Sequence, residues 1–447
     1  MIEIRAVGGY NEVGKNMTAV RVDDDVVVLD MGLFLDSYIR CTQDEDAVNI
    51  SPSELIKAGA VPDVSQIDDW KSKVKAIIPT HAHLDHVGAI PFLANGYKAE
   101  ILGTPYTTEV LKTILRDEKI KFKNPIKTLS PNSVYQVSKG LKVEFINVTH
   151  STPQTVMVAL HTKYGTIIYA NDFKFDRHPV LGTKPNFKRL KQIGEKGVLA
   201  LIVDSTYAND ARKTPSETVA REMLRDVMLG TNSKGKAVIV TTFSSHLARL
   251  KSIIEFGRTL DRKIIFLGRS LSKYVEAGEN IGLIKFSGEV KLVKYKKQIK
   301  RELKTVMEKG KDKYLLVVTG HQGEPDSTLS RMVDEKMNFR FTSEDHVIFS
   351  CTVIPTPLNR ANREYLENSL RQYGVRIFKD IHVSGHAARE DLRDLINLVK
   401  PKHVIPAHGE PRMTEGLYDL AREMGYSNGH VHHMRNGRKL ILETKKI

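Results

Sequence analysis

The chain alternates short apolar runs with polar breaks, and most of the runs end in a residue able to carry chemistry. Val26-Val27-Val28-Leu29 stops at Asp30 before Met31-Gly32, and Lys75-Ala76-Ile77-Ile78-Pro79 leads into His81-Ala82-His83-Leu84-Asp85-His86. Runs this short, bounded by Gly, Pro or polar turns, are the pattern of buried strands. Leu141 to Val148 alternates with period two, which predicts a half-buried strand that Ser151-Thr152-Pro153 stops just after His150. Thr166 to Ala170 ends in Asn171-Asp172, Val198 to Val203 ends in Asp204-Ser205-Thr206-Tyr207, and His403 to Ala407 ends in His408-Gly409.

Past Tyr207, about 150 residues intervene before strands resume toward His408, and a stretch of that size is a domain. Thr214-Pro215-Ser216-Glu217 predicts a capping box with Pro215 at the first helical position, and Val219, Met223, Leu224 and Val227 continue a helical face. Ala237–Thr241, Lys263–Leu267, Tyr314–Val318 and His346–Ser350 read as strands between helices, predicting a second, parallel α/β layer. Leu33 to Lys73 has weak periodicity and reads as a partly helical loop. Lys294 to Lys313 reads as a solvated helical face.

The segment from His81 to His86 changes the picture from fold to chemistry. Sixteen histidines in 447 residues seldom place three within six positions beside a carboxylate. A strand running into a loop projects His81 and His83 to one side, while Asp85 and His86 begin the next turn and face elsewhere, so one segment reaches two metal ions. His150 is the candidate third ligand of the first ion, and His408 would complete the second with Asp85 and His86. Asp172 could bridge both. Nitrogen and oxygen donors without thiolates point to zinc, two ions per chain, with manganese the alternative. His161, His178, His346 and His403 stand alone in the sequence, and the tail cluster His430, His432, His433 lacks an accompanying acid. Cys41 and Cys351 fit no paired motif and read as reduced thiols.

Sixty-eight basic against fifty-three acidic residues leave a net charge of +15, which suits a polyphosphate substrate. Met1-Ile2-Glu3-Ile4-Arg5 starts directly into a strand without a leader, and no apolar run approaches a membrane span, so a soluble cytoplasmic protein with no membrane partner is expected.

These residues resemble the metallo-β-lactamase superfamily, in which the Asp30 position orients the metal-binding loop. The insert makes the chain similar to its nucleic-acid-processing β-CASP branch: Asp204 fits the acidic motif A, Ser384-Gly385-His386-Ala387 the histidine motif B, and Pro406-Ala407-His408-Gly409-Glu410 motif C. Gly8 to Thr18 and Thr319-Gly320-His321-Gln322-Gly323-Glu324-Pro325 are closest to the ribonuclease J family, especially its archaeal form, although His321 stands where that family more often has Ser. The resemblance implies an αββα sandwich over 1–207 and 361–447, interrupted by a β-CASP α/β domain over 208–360, and neither the extra C-terminal domain nor the KH domains of relatives.

The resemblance further implies a nuclease in which His386 acts as general acid, Asp204 holds it protonated, and Asp85 belongs to the catalytic set. It also implies that Phe243, Ser244, Ser245, Ser384, Gly385, His386 and Ala387 receive the 5′ phosphate of single-stranded RNA. The leading expectation is a processive 5′-to-3′ exoribonuclease preferring a 5′ monophosphate, acting as a homodimer beside other RNA-decay factors. The competing expectations are an endoribonuclease of the cleavage-factor type and an inactive RNA-binding scaffold.

Overall fold

The computed structural model describes residues 1–42, 50–354 and 356–443. It divides into two compact units, one of 1–177, 182–214 and 385–447, the other of 178–181 and 215–384.

The first unit contains two sheets. One runs Lys439–Leu442, Ile2–Gly8, Met17–Val22, Asp25–Leu29, Val74–Ile78, Glu100–Gly103, Ile126–Thr128, antiparallel through its first four members and parallel thereafter. The other runs Pro401–Ala407, Val198–Asp204, Gly165–Ala170, Val156–Thr162, Leu141–Asn147, Val134–Ser138. Its first three strands are parallel and the rest antiparallel. Ile4, Val27 and Ile78 of the first sheet pack with Phe145, Val158 and Ile202 of the second to form the central core, each side chain contributing about 1.5–3 kcal/mol of burial. On its outer face the second sheet packs Ile146, Ile168 and Val203 against Leu190, Leu395 and Leu417. Those three lie on the helices Phe187–Lys196, Arg389–Val399 and Pro411–Glu423.

This double coverage corrects the half-buried expectation for Leu141–Asn147, where only Lys142 is exposed. The polar member Glu144 is buried because Arg189 Nε (2.5 Å) and His161 Nε2 (2.7 Å) bind its carboxylate. His161 therefore does not stand alone.

The second unit holds six parallel strands in the order Val290–Val293, Lys263–Leu267, Tyr314–Val318, Val238–Thr241, His346–Phe349, Arg376–Phe378. The four apolar runs read from sequence are its central strands, and the edge strands carry only short, mixed patterns. The capping box fails by two residues. The helix is Glu217–Gly230 with Ser216 as N-cap, its hydroxyl accepting from Thr218 N. Glu217 turns instead into the unit, where its carboxylate accepts from buried Arg249 at 2.6 and 3.0 Å. Between 33 and 73, Leu35–Cys41 and Pro52–Lys57 are helices and Val64–Lys73 is 3₁₀; positions 43–49 lie outside the described residues.

Candidate metal centre and catalytic residues

Strand ends of both sheets in the first unit deliver the site. Asp30, Asp172 and His408 each leave their strand with positive φ, 59°, 50° and 49°. Non-glycine residues hold that conformation at a cost of about 1 kcal/mol or more, which the surrounding structure must over-determine. The turn aims each side chain off the strand axis and inward.

His81 Nε2 lies 3.0 Å from His83 Nδ1, and His83 Nδ1 lies 3.1 Å from His150 Nε2. Asp172 Oδ2 faces the same three residues, 3.6 Å from His81 Nε2 and 3.5 Å from His150 Nε2. Asp172 also faces a second group, with Oδ2 3.3 Å from His86 Nε2 and Oδ1 3.4 Å from His408 Nε2. Asp85 Oδ2 completes it, 3.4 Å from His86 Nε2. Within each four-residue group the ligand atoms lie within 4.8 Å of one another.

The seven residues expected as ligands thus come together as two sets sharing Asp172. Buried Asp172 Oδ1 accepts no hydrogen bond among the described residues, and a buried oxygen so placed among imidazole nitrogens fits a cation. Burial drives the protonation of His81 and His150 well below the ordinary range and brings His83 down to about 4. These imidazoles stay neutral, the form that ligates metal. At His86 burial opposes the charge, yet Asp172, Asp85 and Asp30 outweigh it and raise the pKa well above the usual value, marking an electronegative centre.

A third group, Asp172, Asp204, His386 and His408, adjoins the second. His386 Nδ1 pairs with Asp204 Oδ2 at 2.8 Å, leaving Nε2 3.9 Å from Asp172 Oδ2. The other oxygen of Asp204 accepts from Thr206 N and Oγ1, both at 2.8 Å, which fixes the carboxylate. Burial opposes the His386 charge, but Asp172 and Asp204 overcome it and push the pKa up to about 9.

A buried polar network, of which the sequence singled out Asp30 as the orienting residue, holds these groups. Asn16 Oδ1 accepts from His408 Nδ1 at 2.6 Å and its Nδ2 donates to Asp85 O at 3.1 Å, tying two members of the second set. Asp30 accepts from His86 Nδ1 (2.8 Å), Tyr169 Oη (3.0 Å) and Thr80 N (2.7 Å). Asn171 Nδ2 links Tyr169 Oη (2.9 Å) to Asn16 Oδ1 (3.3 Å). Gly385 O accepts from His150 Nδ1 at 2.7 Å. Gly32 is required because a Cβ there would sit 1.6 Å from Asp85 O.

The remaining expected residues fall in two places. Phe243, Ser244 and Ser245 follow the strand Val238–Thr241 in the second unit, with Ser244 Oγ 2.9 Å from Ser270 Oγ and the Phe243 ring against His321 at 4.5 Å. Ser384 ends that unit, whereas Gly385, His386 and Ala387 belong to the first. Among the histidines set aside, His403 Nδ1 lies 3.0 Å from His432 Nε2, and His433 Nε2 meets Glu415 at 3.3 Å. The tail cluster therefore has an acid after all, supplied from the helix Pro411–Glu423.

Residues 10–213 match the metallo-beta-lactamase superfamily, 235–366 the ribonuclease J beta-CASP domain, and 373–434 a Zn-dependent metallo-hydrolase RNA specificity domain. The chain is 43% identical over 444 residues to a protein named Ribonuclease J from Methanocaldococcus jannaschii, covering 99% of each chain. It is likewise 43% identical to a Ribonuclease J from Pyrococcus abyssi, covering 98% of this chain and 96% of that one. A crystal structure of a protein of unknown function from Enterococcus faecalis V583 shares the fold, with a TM-score of 0.64 at 16% identity, covering 99% of this chain and 100% of that one.

Proposed function

The chain belongs to the ribonuclease J family of metal-dependent ribonucleases, a metallo-β-lactamase αββα sandwich carrying an inserted β-CASP α/β domain, and from that premise we propose a processive 5′-to-3′ exoribonuclease acting on single-stranded RNA with a 5′ monophosphate. The observation that carries the reading is Asp172, shared between two donor sets with the His386–Asp204 pair beside them. His81, His83, His150 and Asp172 would hold one ion, and Asp85, His86, His408 and Asp172 the other. The nitrogen and oxygen donors suit zinc, with manganese the alternative. Bound there, such ions acidify water and neutralise phosphate charge.

The chain's own residues supply the rest. His386 Nε2, protonated and aimed by Asp204, donates a proton to the leaving 3′ oxygen. Asn16 and Asp30 fix which nitrogen of His408 and His86 faces the site. Phe243, Ser244 and Ser245, which follow the strand Val238–Thr241, and the Ser384-Gly385-His386-Ala387 segment would each offer donors or a ring face to a terminal phosphate and its base. The protein would work in the cytoplasm as a homodimer beside other RNA-decay factors; no helix among the described residues is long and apolar enough to cross a membrane.

Extensive dialysis followed by elemental analysis and assay of end-labelled RNA tests the proposal. Two ions per chain and hydrolysis abolished by chelation are expected. One ion or fewer in folded, active protein would overturn the two-ion assignment, and chelator-resistant cleavage would overturn the metal-dependent reading itself.

A further inference from the structure

The inserted unit exposes two tyrosines, Tyr295 and Tyr365, on segments rich in cations. Tyr295 and Tyr365 are 60% and 63% exposed, so neither is explained by packing. Tyr295 caps the helix Lys296–Lys309, whose first turn contains no acid and begins with Lys296 and Lys297. Cations there oppose the helix dipole, so helix stability does not account for them. Lys297, Lys300 and Arg301 are exposed and form no ion pair among the described residues. Farther along, the stretch behaves as a solvated face: Lys291 pairs with Glu302 at 2.6 Å and Lys304 with Glu308 at 3.7 Å.

The cationic end continues across neighbouring segments. Arg331 binds exposed Asp326 at 2.5 Å. Arg331 holds the Asp326 carboxyl below the usual range, with smaller contributions from Lys296 and Lys336. Asn338 Nδ2 donates to Lys300 O at 3.2 Å and ties this segment to the helix. Lys336 pairs with Asp334 at 2.7 Å, and Tyr365 Oη reaches the same residue at 3.5 Å. Lys296, Lys297, Lys300 and Arg301 on the helix, and Arg331 and Lys336 on the segment bonded to it, thus lie among the carboxylates Asp326, Asp334 and Glu335, with Tyr295 at the helix start and Tyr365 against Asp334.

We propose that this surface is an accessory track for single-stranded RNA, on which the cations hold phosphates and Tyr295 and Tyr365 stack bases. Spaced aromatic rings on a positive surface bind single strands with little sequence preference, because every base has a π-face. The choice of RNA as the polyanion rests on the ribonuclease reading. The track would retain long substrates and contribute nothing to hydrolysis of fragments too short to reach it.

Fluorescence anisotropy with an RNA of about 30 nucleotides tests the track, using the full chain with His386→Ala and reading before the slowed cleavage consumes the RNA. Joint Tyr295→Ala and Tyr365→Ala should weaken binding about tenfold or more. Joint Lys296→Ala, Lys300→Ala and Lys336→Ala should reduce the slope of log affinity on log salt by about two. With His386 intact, both variants should hydrolyse an RNA of about four nucleotides at the wild-type rate within about twofold. Unchanged affinity and salt slope would overturn the proposal. So would loss of a dimer at unchanged RNA affinity, which would assign the tyrosines to a second copy of the chain. A wild-type protein that binds through this surface yet hydrolyses no RNA would remove the ribonuclease reading and leave the track standing.

Discussion

His386 Nδ1 and Asp204 Oδ2, 182 positions apart in sequence, meet at 2.8 Å. The pairing fixes the ring so that Nε2 points toward Asp172, 3.9 Å from its Oδ2, and it favours the imidazolium. A proton donor is needed only at bond cleavage, so its loss should appear in rate and not in metal content.

His386→Ala should therefore lower the cleavage rate about a hundredfold or more with metal content unchanged. RNA carrying a 3′-bridging sulfur checks the role, because sulfur leaves without a proton. The variant should recover much of its rate on that substrate; an equal defect on both would make His386 a positioning residue.

Asn16→Ala removes the acceptor of His408 Nδ1 and a donor to the Asp85 carbonyl. Metal affinity at the Asp85, His86, His408 set should fall about 10–100-fold, read by chelator competition, while the other set keeps its ion. Equal loss from both sets would show that Asn16 supports the fold as a whole.

The residues that gather around Asp172 were legible in the sequence because they follow the ends of apolar runs, and the cluster from His81 to His86 concentrates three imidazoles and a carboxylate in six positions. Asp204 and His386 were legible only through resemblance, since nothing local marks residues that meet across 182 positions. Asn16 lies inside the Gly8–Thr18 resemblance, but nothing local assigned it a role, which depends on that turn reaching buried His408. The shift of the helix cap from Thr214 to Ser216 has a similar cause. Thr214 Oγ1 donates to His386 O at 2.7 Å and accepts from Ala388 N at 2.9 Å, so tertiary partners outcompete the local cap.

Gly385→Ala would place a methyl 2.8 Å from the His150 ring, too close for a rigid imidazole to tolerate. Weaker metal binding at the His81, His83, His150 set is expected, with the far-ultraviolet circular dichroism spectrum unchanged. Wild-type metal affinity would show that the loop yields instead.

Glu144 makes a pH prediction away from the site. Burial opposes its charge, but His161 and Arg189 overcome this and lower the pKa from 4.5 to about 2. The unfolded chain therefore binds more protons between those values, so the stabilisation is present above about pH 4.5 and is lost as pH falls toward 2. Glu144→Gln should lose on the order of 2 kcal/mol near neutrality, allowing for screening of the partners, and show a flatter decline in acid. Denaturant titrations across this range check it; parallel wild-type and variant curves would contradict it.

The most direct measurement is a time course on one single-stranded RNA prepared with a 5′ monophosphate, triphosphate or hydroxyl and labelled at either end. Terminal recognition of one phosphate predicts fastest loss of the monophosphate form, because a hydroxyl leaves donors unpaired and a triphosphate overfills the site. Label at the 5′ end should appear as mononucleotide from the earliest points, label at the 3′ end as a descending ladder, and Ser384→Ala should narrow the differences between the three forms. Internal fragments appearing first, at rates indifferent to the 5′ group, would contradict the exonuclease account and establish an endonuclease.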